Sequence, residues 1–304
     1  MYTVICVICF TIQLAGQDTL FFENFDASPG TKPPGWTTEL ETSGSKWEFV
    51  NGGGTKNPEI PGSRRPATAY SDTVNALYFF QSLGQEEVIL VTPPINLEFA
   101  LKPELRFRHV QREGNLGFGA AHDELRVYYK THFDSTWTEA RKIAEYTDEV
   151  FDWSEQIVIL PEEAHVPECY FAFKAKTNYG WGVGIDDVSV IETEVQARQV
   201  HAVTVSQDET GNIPTGSKNN QILSMDITVT GNTGVLTLNS LNVSSLNTSD
   251  MDVGTYGIKL HSNQTNKDFY AATVLDSVSF VAGQAVFNTL NLDLQSGHNY
   301  LWIS

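Results

Sequence analysis

The chain has 304 residues, enough for two domains of ordinary size, and its 41% hydrophobic content excludes an intrinsically disordered protein. Its 37 acidic and 19 basic residues give a formal net charge of -18, which excludes nucleic acid and anionic lipid surfaces as general partners. Cations are the natural small partners of such a surface.

The first 17 residues are typical of the end of a secretory signal peptide. An apolar run over residues 4–10 is followed by small residues at Ala15 and Gly16. The run is shorter than the about 20 apolar residues that span a bilayer, so we expect no membrane span once the leader is removed. No basic segment precedes the run, and the alternative is a short buried first strand. The leader predicts a secreted or cell-surface protein.

Short segments of alternating polarity follow along the chain, each bounded by Gly, Pro, Asn or Asp. Such segments are typical of half-buried β-strands. Their apolar residues are Leu105 and Phe107; Leu125, Val127 and Tyr129; Phe171 and Phe173; Leu223, Met225, Ile227 and Val229; and Leu290, Leu292 and Leu294. The best candidate for a helix, residues 137–150, is ambiguous. Strands without intervening helices predict an all-β protein built from antiparallel sandwiches.

A polar segment at residues 192–200 separates two parts of different composition. All but one of the six tryptophans and most of the charge precede it, and Asn, Ser and Thr dominate beyond it. We therefore predict a first domain over residues 18–193 and a second, smaller β-sandwich over residues 197–304. The chain ends inside the apolar stretch 300–304 with no closing turn, which indicates that the second domain is truncated.

Several features that suggest catalysis have simpler explanations. Cys169 alternates with Phe171 and Phe173, which predicts a small buried hydrophobe rather than a nucleophile. Residues 51–56 are rich in glycine but lack the spacing of a phosphate-binding loop, and a flexible loop is expected there. The sequence has no His-Glu-x-x-His zinc motif and no Gly-x-Ser-x-Gly nucleophile motif. We therefore expect that the chain is not an enzyme.

Three carboxylates fall on the apolar side of their predicted strands. Glu23 alternates with two phenylalanines, Asp123 precedes an alternating apolar strand, and Asp186 alternates with Val188 and Val190. An unpaired charge buried there would cost several kcal/mol. Protonation, a buried Lys or Arg, or a metal ion would each remove that cost.

A structural Ca²⁺ is the preferred explanation, because hard oxygen donors without nearby His or Cys suit this ion. Adjacent residues of a strand face opposite ways, and parity predicts that Asp186 points into the sandwich and Asp187 towards solvent. Alternatively, each carboxylate lies at a strand end, facing water or pairing with Arg106, Arg108 or Arg126. The same acids would serve glycoside hydrolysis only at a separation of about 5 to 10 Å, which a sequence does not reveal.

The first part of the chain carries an ordered set of motifs, at residues 20–26, 33–36, 47, 90–97, 105–109, 123–129 and 184–190. In this set it resembles the MAM-like jelly-roll domains of bacterial surface proteins, including the cleaved-adhesin domains that accompany gingipain-type proteases. The resemblance implies an antiparallel jelly-roll sandwich and a role in adhesion or glycan binding. It also implies a structural calcium held by Glu23, Asp123 and either Asp186 or Asp187. The disulfides of animal MAM domains are missing, which favours the bacterial branch.

The second part is similar to a β-sandwich module that precedes sialidase catalytic domains in secreted proteins of the Bacteroidetes. Residues 223–229, 236–243, 257–260 and 297–303 carry this similarity. The catalytic arginines and repeat motifs of the sialidases are missing, so their activity is not implied.

The leading hypothesis is a non-catalytic adhesion module that binds an extracellular glycan or protein. The alternatives are an accessory region of a larger exported sialidase or peptidase, and a spacer that holds another domain away from the cell. Tyr179 and Trp181 lie in a glycine-rich stretch before the last strand of the first domain, where their rings are candidates for ligand contact.

Overall fold

The computed structural model describes residues 4–11, 18–56, 65–79, 86–114, 121–207, 219–245 and 257–304. Strands make up 53% of the chain and helix 2%, which confirms the predicted all-β class. The chain folds into two compact units, Gln17–Glu194 and Val195–Ser304, and the second also includes strand β1 (Val4–Thr11). Among the described residues, no helix is long and apolar enough to cross a membrane.

The first unit is a sandwich of two antiparallel sheets. Its strands are β2 (Asp18–Glu23), β3 (Thr37–Glu39), β4 (Trp47–Asn51), β5 (Val74–Tyr78), β6 (Glu87–Val91), β7 (Pro103–Gln111), β8 (Glu124–Lys130), β9 (Lys142–Tyr146), β10 (Val150–Ile159), β11 (Tyr170–Lys176) and β12 (Val183–Glu192). One sheet has the order β10-β7-β12-β5-β4, with β2 also paired to β12, and the other has the order β3-β6-β11-β8-β9. Successive strands mostly alternate between the two sheets.

The predicted alternation builds the core of this unit. Leu105, Phe107, Leu125, Phe171 and Phe173 are all buried between the sheets. Cys169 is fully buried in the same cluster, as predicted for a small hydrophobe. Residues 137–150 form only one 3-10 turn, at Glu139–Arg141, followed by β9 and the start of β10. The candidate helix therefore forms paired strands for most of its length.

Strand β12 is central to its sheet and is irregular in the middle. Strand β7 pairs with one of its edges, whereas β5 and β2 share the other, β5 up to Ile185 and β2 from Val188. The register with β7 shifts between Asp186 and Ser189, as in a β-bulge. Ile185 and Val188 consequently both reach the core, and the two residues between them lie where β5 gives way to β2.

The second unit is also a two-sheet antiparallel sandwich. Its strands are β13 (Gln199–Ser206), β14 (Leu223–Thr230), β15 (Val235–Ser244), β16 (Ile258–Ser262), β17 (Thr273–Val278), β18 (Gln284–Phe287), β19 (Leu292–Leu294) and β20 (Gly297–Ile303). One sheet has the order β13-β14-β20-β16-β17, and in the other β15 pairs with β1, β18 and β19. Leu223, Met225, Ile227 and Val229 face its core, as their alternation predicts.

Strand β1 lies antiparallel to β15, from Val4 opposite Val243 to Thr11 opposite Val235. Ala15 and Gly16, the small residues of the predicted cleavage site, lie outside the described residues. The signal-peptide assignment of residues 1–17 stays a prediction, with a first strand as its alternative.

His109 is a fully buried titratable side chain in the core of the first unit. Its ring lies 4.8 Å from the ring of Tyr146 and 6.3 Å from that of Phe107. Burial lowers the pKa of His109 from 6.5 to about 3. Below pH 6.5 the unfolded chain therefore binds a proton that the folded chain does not accept until about pH 3. The stability that neutral His109 provides is complete above pH 6.5 and declines as the pH falls towards 3.

We expect the His109→Leu variant to lose stability less steeply in acid than the wild type. Between pH 6.5 and 4.5 the difference should reach roughly 2.3 kcal/mol, because each pH unit contributes at most about 1.4 kcal/mol and the unfolded histidine is only half protonated at pH 6.5. Urea unfolding at several pH values measures it, and His132→Leu, at an exposed histidine, is the control. Equal pH dependence in all three proteins would contradict the assignment.

Candidate functional site

Asp186 is fully buried, but it does not point into the sandwich. It lies opposite Arg108 in the β12–β7 pairing, on the outer face, because the bulge reverses the parity that Val188 and Val190 suggested. Its carboxylate accepts the backbone N–H groups of Tyr70 at 2.9 Å, Ser71 at 3.2 Å and Asp187 at 2.8 Å. The predicted inward orientation of Asp186 was therefore wrong, and its burial comes from the β4–β5 connection above it.

Asp123 organises a different loop. Its buried carboxylate accepts the N–H groups of Asn178 at 2.6 Å, Gly180 at 3.0 Å and Gly182 at 2.7 Å. Burial raises the pKa of Asp123, and these three hydrogen bonds oppose that rise without cancelling it. The loop that carries Tyr179 and Trp181 thus closes around one carboxylate. Asp123 and Asp186 take their hydrogen bonds from separate segments of the chain.

Glu23 ends β2, opposite Val188 of β12, and is half-buried. Its carboxylate accepts the N–H of Phe25 at 2.7 Å, so it stabilises the turn that follows its own strand. Phe25 is fully buried and has a positive φ of 65°. The hydrogen bond of Glu23 is therefore local, within the turn that follows its own strand.

Three carboxylates lie near one another beside the bulge, namely Asp26, Asp72 and Asp187, here called the acidic cluster. A hydrogen bond to Asp26, with the negative charges of Asp26 and Asp187, raises the pKa of Asp72. Asp26 accepts the N–H groups of Thr73 at 3.0 Å and Val74 at 2.8 Å. These hydrogen bonds hold the pKa of Asp26 below its usual range, although burial opposes them.

The backbone of the acidic cluster is strained. Asp72 and Asp187 have φ values of 44° and 45°, in the left-handed region that residues other than glycine seldom adopt. The Asp187 carboxylate also accepts the hydroxyl of Ser71 at 2.6 Å. Asp26 and Asp72 lie in irregular segments before regular strands, where no alternation exists to single them out.

The donor chemistry of the acidic cluster fits calcium, although the side chains do not form a ready cage. Across the described part of the chain, no group of three or more His, Cys, Asp or Glu side chains is placed to hold a metal ion. The cluster nevertheless offers only oxygen donors, and Asp26 and Asp72 lie close enough to shift the pKa of each other. A proton or a cation between two neighbouring carboxylates relieves their repulsion.

A second feature of the outer face of the sheet is a set of aromatic rings packed on arginines. The guanidinium of Arg112 lies 3.6 Å from the ring of Phe151 and 5.5 Å from that of Trp181, and the guanidinium of Arg108 lies 4.0 Å from the ring of Tyr70. We call these five residues the arginine–aromatic face. Phe151 is 62% exposed and Tyr70 43%. Cation–π contacts thus hold exposed rings in place.

Acidic partners fix the two arginines of this face. Arg108 lies 3.5 Å from Glu155, and Arg112 lies 3.7 Å from Glu149. Tyr179, the other aromatic predicted from the sequence, is 37% exposed and has a positive φ of 65° in the loop held by Asp123. Through Arg112 the structure therefore places Trp181 near Phe151 of another segment, which only the sheet pairing brings close.

The glycine-rich residues 51–56 are not the loose loop that the sequence suggests. A Cβ on Gly54 would lie 2.1 Å from Val110 and 2.7 Å from Trp153, and a Cβ on Gly184 would lie 2.3 Å from the carbonyl oxygen of Gly54. The indole N–H of Trp153 also donates to the carbonyl of Thr68 at 3.0 Å. The β4–β5 connection is therefore packed directly on the sheet, and glycine is required on both sides of the contact.

We expect Gly184→Ala to lower the free energy of unfolding by about 1 to 3 kcal/mol, the usual cost of overpacking. The new methyl group would meet the backbone of Gly54, which has no side chain to move aside. Chemical denaturation of the full chain measures the effect. An unchanged midpoint would show that the connection does not sit on the sheet.

The chain is similar to several solved structures. No protein-family model and no curated protein sequence matches the chain. A family 61 carbohydrate-binding module, TmCBM61, solved with beta-1,4-galactotriose, is 11% identical with a TM-score of 0.37, over 55% of this chain and 92% of the module.

The chain is also similar to solved domains of Lys-gingipain from Porphyromonas gingivalis W83. The K1 cleaved adhesin domain is 19% identical with a TM-score of 0.41, over 56% of this chain and 96% of that domain. The K3 cleaved adhesin domain is 19% identical with a TM-score of 0.40, over 57% of this chain and 98% of that domain. The solved structures to which the chain is similar therefore include cleaved-adhesin domains, the group that the sequence motifs resemble.

Proposed function

We propose that this chain is a non-catalytic binding protein of the cell surface or the extracellular space, and that its first unit binds a glycan. The arginine–aromatic face is the observation that supports this proposal. It combines exposed rings with arginines that stay on the surface of a strongly acidic chain. Aromatic and arginine side chains are also the residues that dominate binding energy at protein interfaces.

The chemistry of this face suits a sugar. The flat apolar side of a pyranose ring packs against an aromatic ring, and the arginines and their acidic partners can donate to and accept from its hydroxyl groups. The guanidinium of Arg112 contacts the rings of both Phe151 and Trp181, so that the three groups form a continuous surface. The Asp123-bound loop and the docked β4–β5 connection hold this surface rigid, which lowers the entropic cost of binding.

A glycan array probed with the labelled full chain tests the proposal. We expect binding to at least one glycan, lost in Phe151→Ala and kept in Phe133→Ala. Phe133 is the matched control because it is also 62% exposed and lies on the segment after β8, away from the arginine–aromatic face. Binding to no glycan, or equal binding by both variants, would contradict the proposal, and a protein ligand would then be sought on a protein array.

We also propose that the acidic cluster binds a structural Ca²⁺. Asp26, Asp72 and Asp187 would supply its carboxylate oxygens. Of the set that the sequence motifs suggested, which was Glu23, Asp123 and either Asp186 or Asp187, this assignment keeps only Asp187. The contact between Asp26 and Asp72 supports this assignment, because the ion would relieve the repulsion that raises the pKa of Asp72. The ion would join the β4–β5 connection, which carries Tyr70, to the bulge of β12.

We expect the full chain to hydrolyse neither glycosides nor peptides. The carboxylates of Asp123 and Asp186 are each engaged by three backbone N–H groups, and burial raises the pKa of the Cys169 thiol to about 12. Sialyl, galactosyl and peptide reporters should stay at the rate without protein. Turnover that a single acidic substitution abolishes would contradict this expectation.

A further inference from the structure

The second unit carries its own row of aromatic side chains on the outer face of a sheet. Along β20, Leu301 and Ile303 face the core, whereas His298, Tyr300 and Trp302 have the opposite parity. The ring planes of His298 and Tyr300 differ by only 6°, with centroids 5.8 Å apart. The rings of Tyr300 and Trp302 differ by 27°, with centroids 6.3 Å apart.

Charged groups of both signs flank this row. The imidazole Nδ1 of His298 lies 2.9 Å from both carboxylate oxygens of Asp226, on the neighbouring strand β14. On the other side, the ammonium of Lys267 lies 5.8 Å from the centre of the Tyr300 ring. Asp226 is directly opposite Tyr300 in the β14–β20 pairing. The rings therefore have a hydrogen-bond acceptor on one side and a donor on the other.

A loop completes the surface. Phe269 packs at 6.1 Å on Trp302 and at 5.2 Å on His261, which leaves Trp302 buried. Next to Phe269, Tyr270 is 96% exposed, with its ring 5.6 Å from that of Phe269. A tyrosine that is almost wholly exposed contributes nothing to the core, whereas an aromatic ring with a polar hydroxyl suits a wet binding surface.

We propose that this surface, formed by Asp226, Lys267, Tyr270, His298 and Tyr300, is a second binding site, and that it takes a neutral saccharide. The row of rings can pack against the apolar faces of sugar residues, and the groups on either side can bind hydroxyls. Charge disfavours an acidic saccharide, because the carboxylates of Asp226 and Asp268 lie at this surface with only one ammonium, that of Lys267. This site is independent of the glycan site proposed for the first unit.

Affinity electrophoresis of the full chain tests the proposal, in native gels that contain galactan, mannan or xyloglucan. We expect at least one of these polysaccharides to retard the wild type, and Tyr300→Ala and Tyr270→Ala to weaken the retardation at least tenfold. Val286→Ala, at a 41% exposed residue of the other sheet, should behave as the wild type. Tyr270→Ala keeps the test valid if Tyr300→Ala fails to fold, because Tyr270 makes so little contact with the core.

Phe151→Ala separates the two sites, since it alters only the first unit. Retardation that persists in Phe151→Ala and is lost in the two tyrosine variants supports the second site. Retardation lost only in Phe151→Ala would overturn this inference and leave the proposed function standing. Free migration of the wild type through all three polysaccharides would also overturn it.

Discussion

Replacing Asp123 by alanine is expected to lower the free energy of unfolding by about 3 to 5 kcal/mol, because each buried donor left without an acceptor costs about 1 to 3 kcal/mol and loss of the carboxylate removes its own desolvation cost. Three backbone N–H groups, from Asn178, Gly180 and Gly182, would lose their acceptor at once. The carboxylate is buried, so its removal leaves these donors in the interior, away from bulk solvent. The loop that carries Trp181 should lose its shape together with this stability.

Chemical denaturation of the full chain measures the loss, with Asp134→Ala as the control. Asp134 is exposed, so its replacement should change stability by no more than about 0.5 kcal/mol. Asp123→Asn should fall between the wild type and Asp123→Ala, because an amide keeps one acceptor oxygen. A loss in Asp123→Ala no larger than in the Asp134 control would show that the carboxylate does not hold the loop.

The substitution Asp72→Asn is expected to change the stability of the first unit in opposite directions in chelator and in calcium. For the wild type, Ca²⁺ at 100 times its dissociation constant should stabilise the folded state by about 2.7 kcal/mol relative to chelator. Asp72→Asn removes a carboxylate that repels Asp26 and Asp187, so in chelator it should be at least as stable as the wild type. In calcium it should be less stable, because a ligand of the ion is lost.

Thermal melting of both proteins in calcium and in chelator gives the four values that this comparison needs. Asp134→Asn, at an exposed carboxylate far along the chain, controls for the change in net charge. The calcium site at the acidic cluster is supported if Asp72→Asn is at least as stable as the wild type in chelator and less stable than the wild type in calcium. Superimposable curves for the wild type with and without calcium would contradict it, and loss of stability in both conditions would make Asp72 a structural residue only.

Strand identity was predictable wherever one face of a strand is buried. Leu223, Met225, Ile227 and Val229 are buried and the residues between them are not, because a strand with only one face in the core shows its period of two directly. The core role of Cys169 followed from the same rule. Residues 51–56 were misjudged, because glycine permits close packing as well as mobility and only the sheet opposite decides between them.

The candidate sites were less predictable, because they depend on register. One bulge in β12 moves Asp186 to the outer face, and no local pattern in the sequence shows it. Asp123 binds residues 55 to 59 positions further along the chain, which sheet pairing alone brings near. Trp181 was a candidate because of its glycine-rich context. Arg112 and Phe151 complete its surface, but nothing in the local sequence around them marks them as candidates.

Equilibrium binding of the glycan with the strongest array signal tests the proposed function most directly. The full chain is compared with Arg112→Ala, Phe151→Ala and the double variant. The Arg112 guanidinium packs on Phe151 at 3.6 Å, so each single variant should weaken binding at least tenfold. The two effects should not add, and the double variant should bind only slightly less tightly than the single variant with the lower affinity. Affinities in all three variants equal to that of Phe133→Ala would contradict the proposal that the arginine–aromatic face binds the ligand.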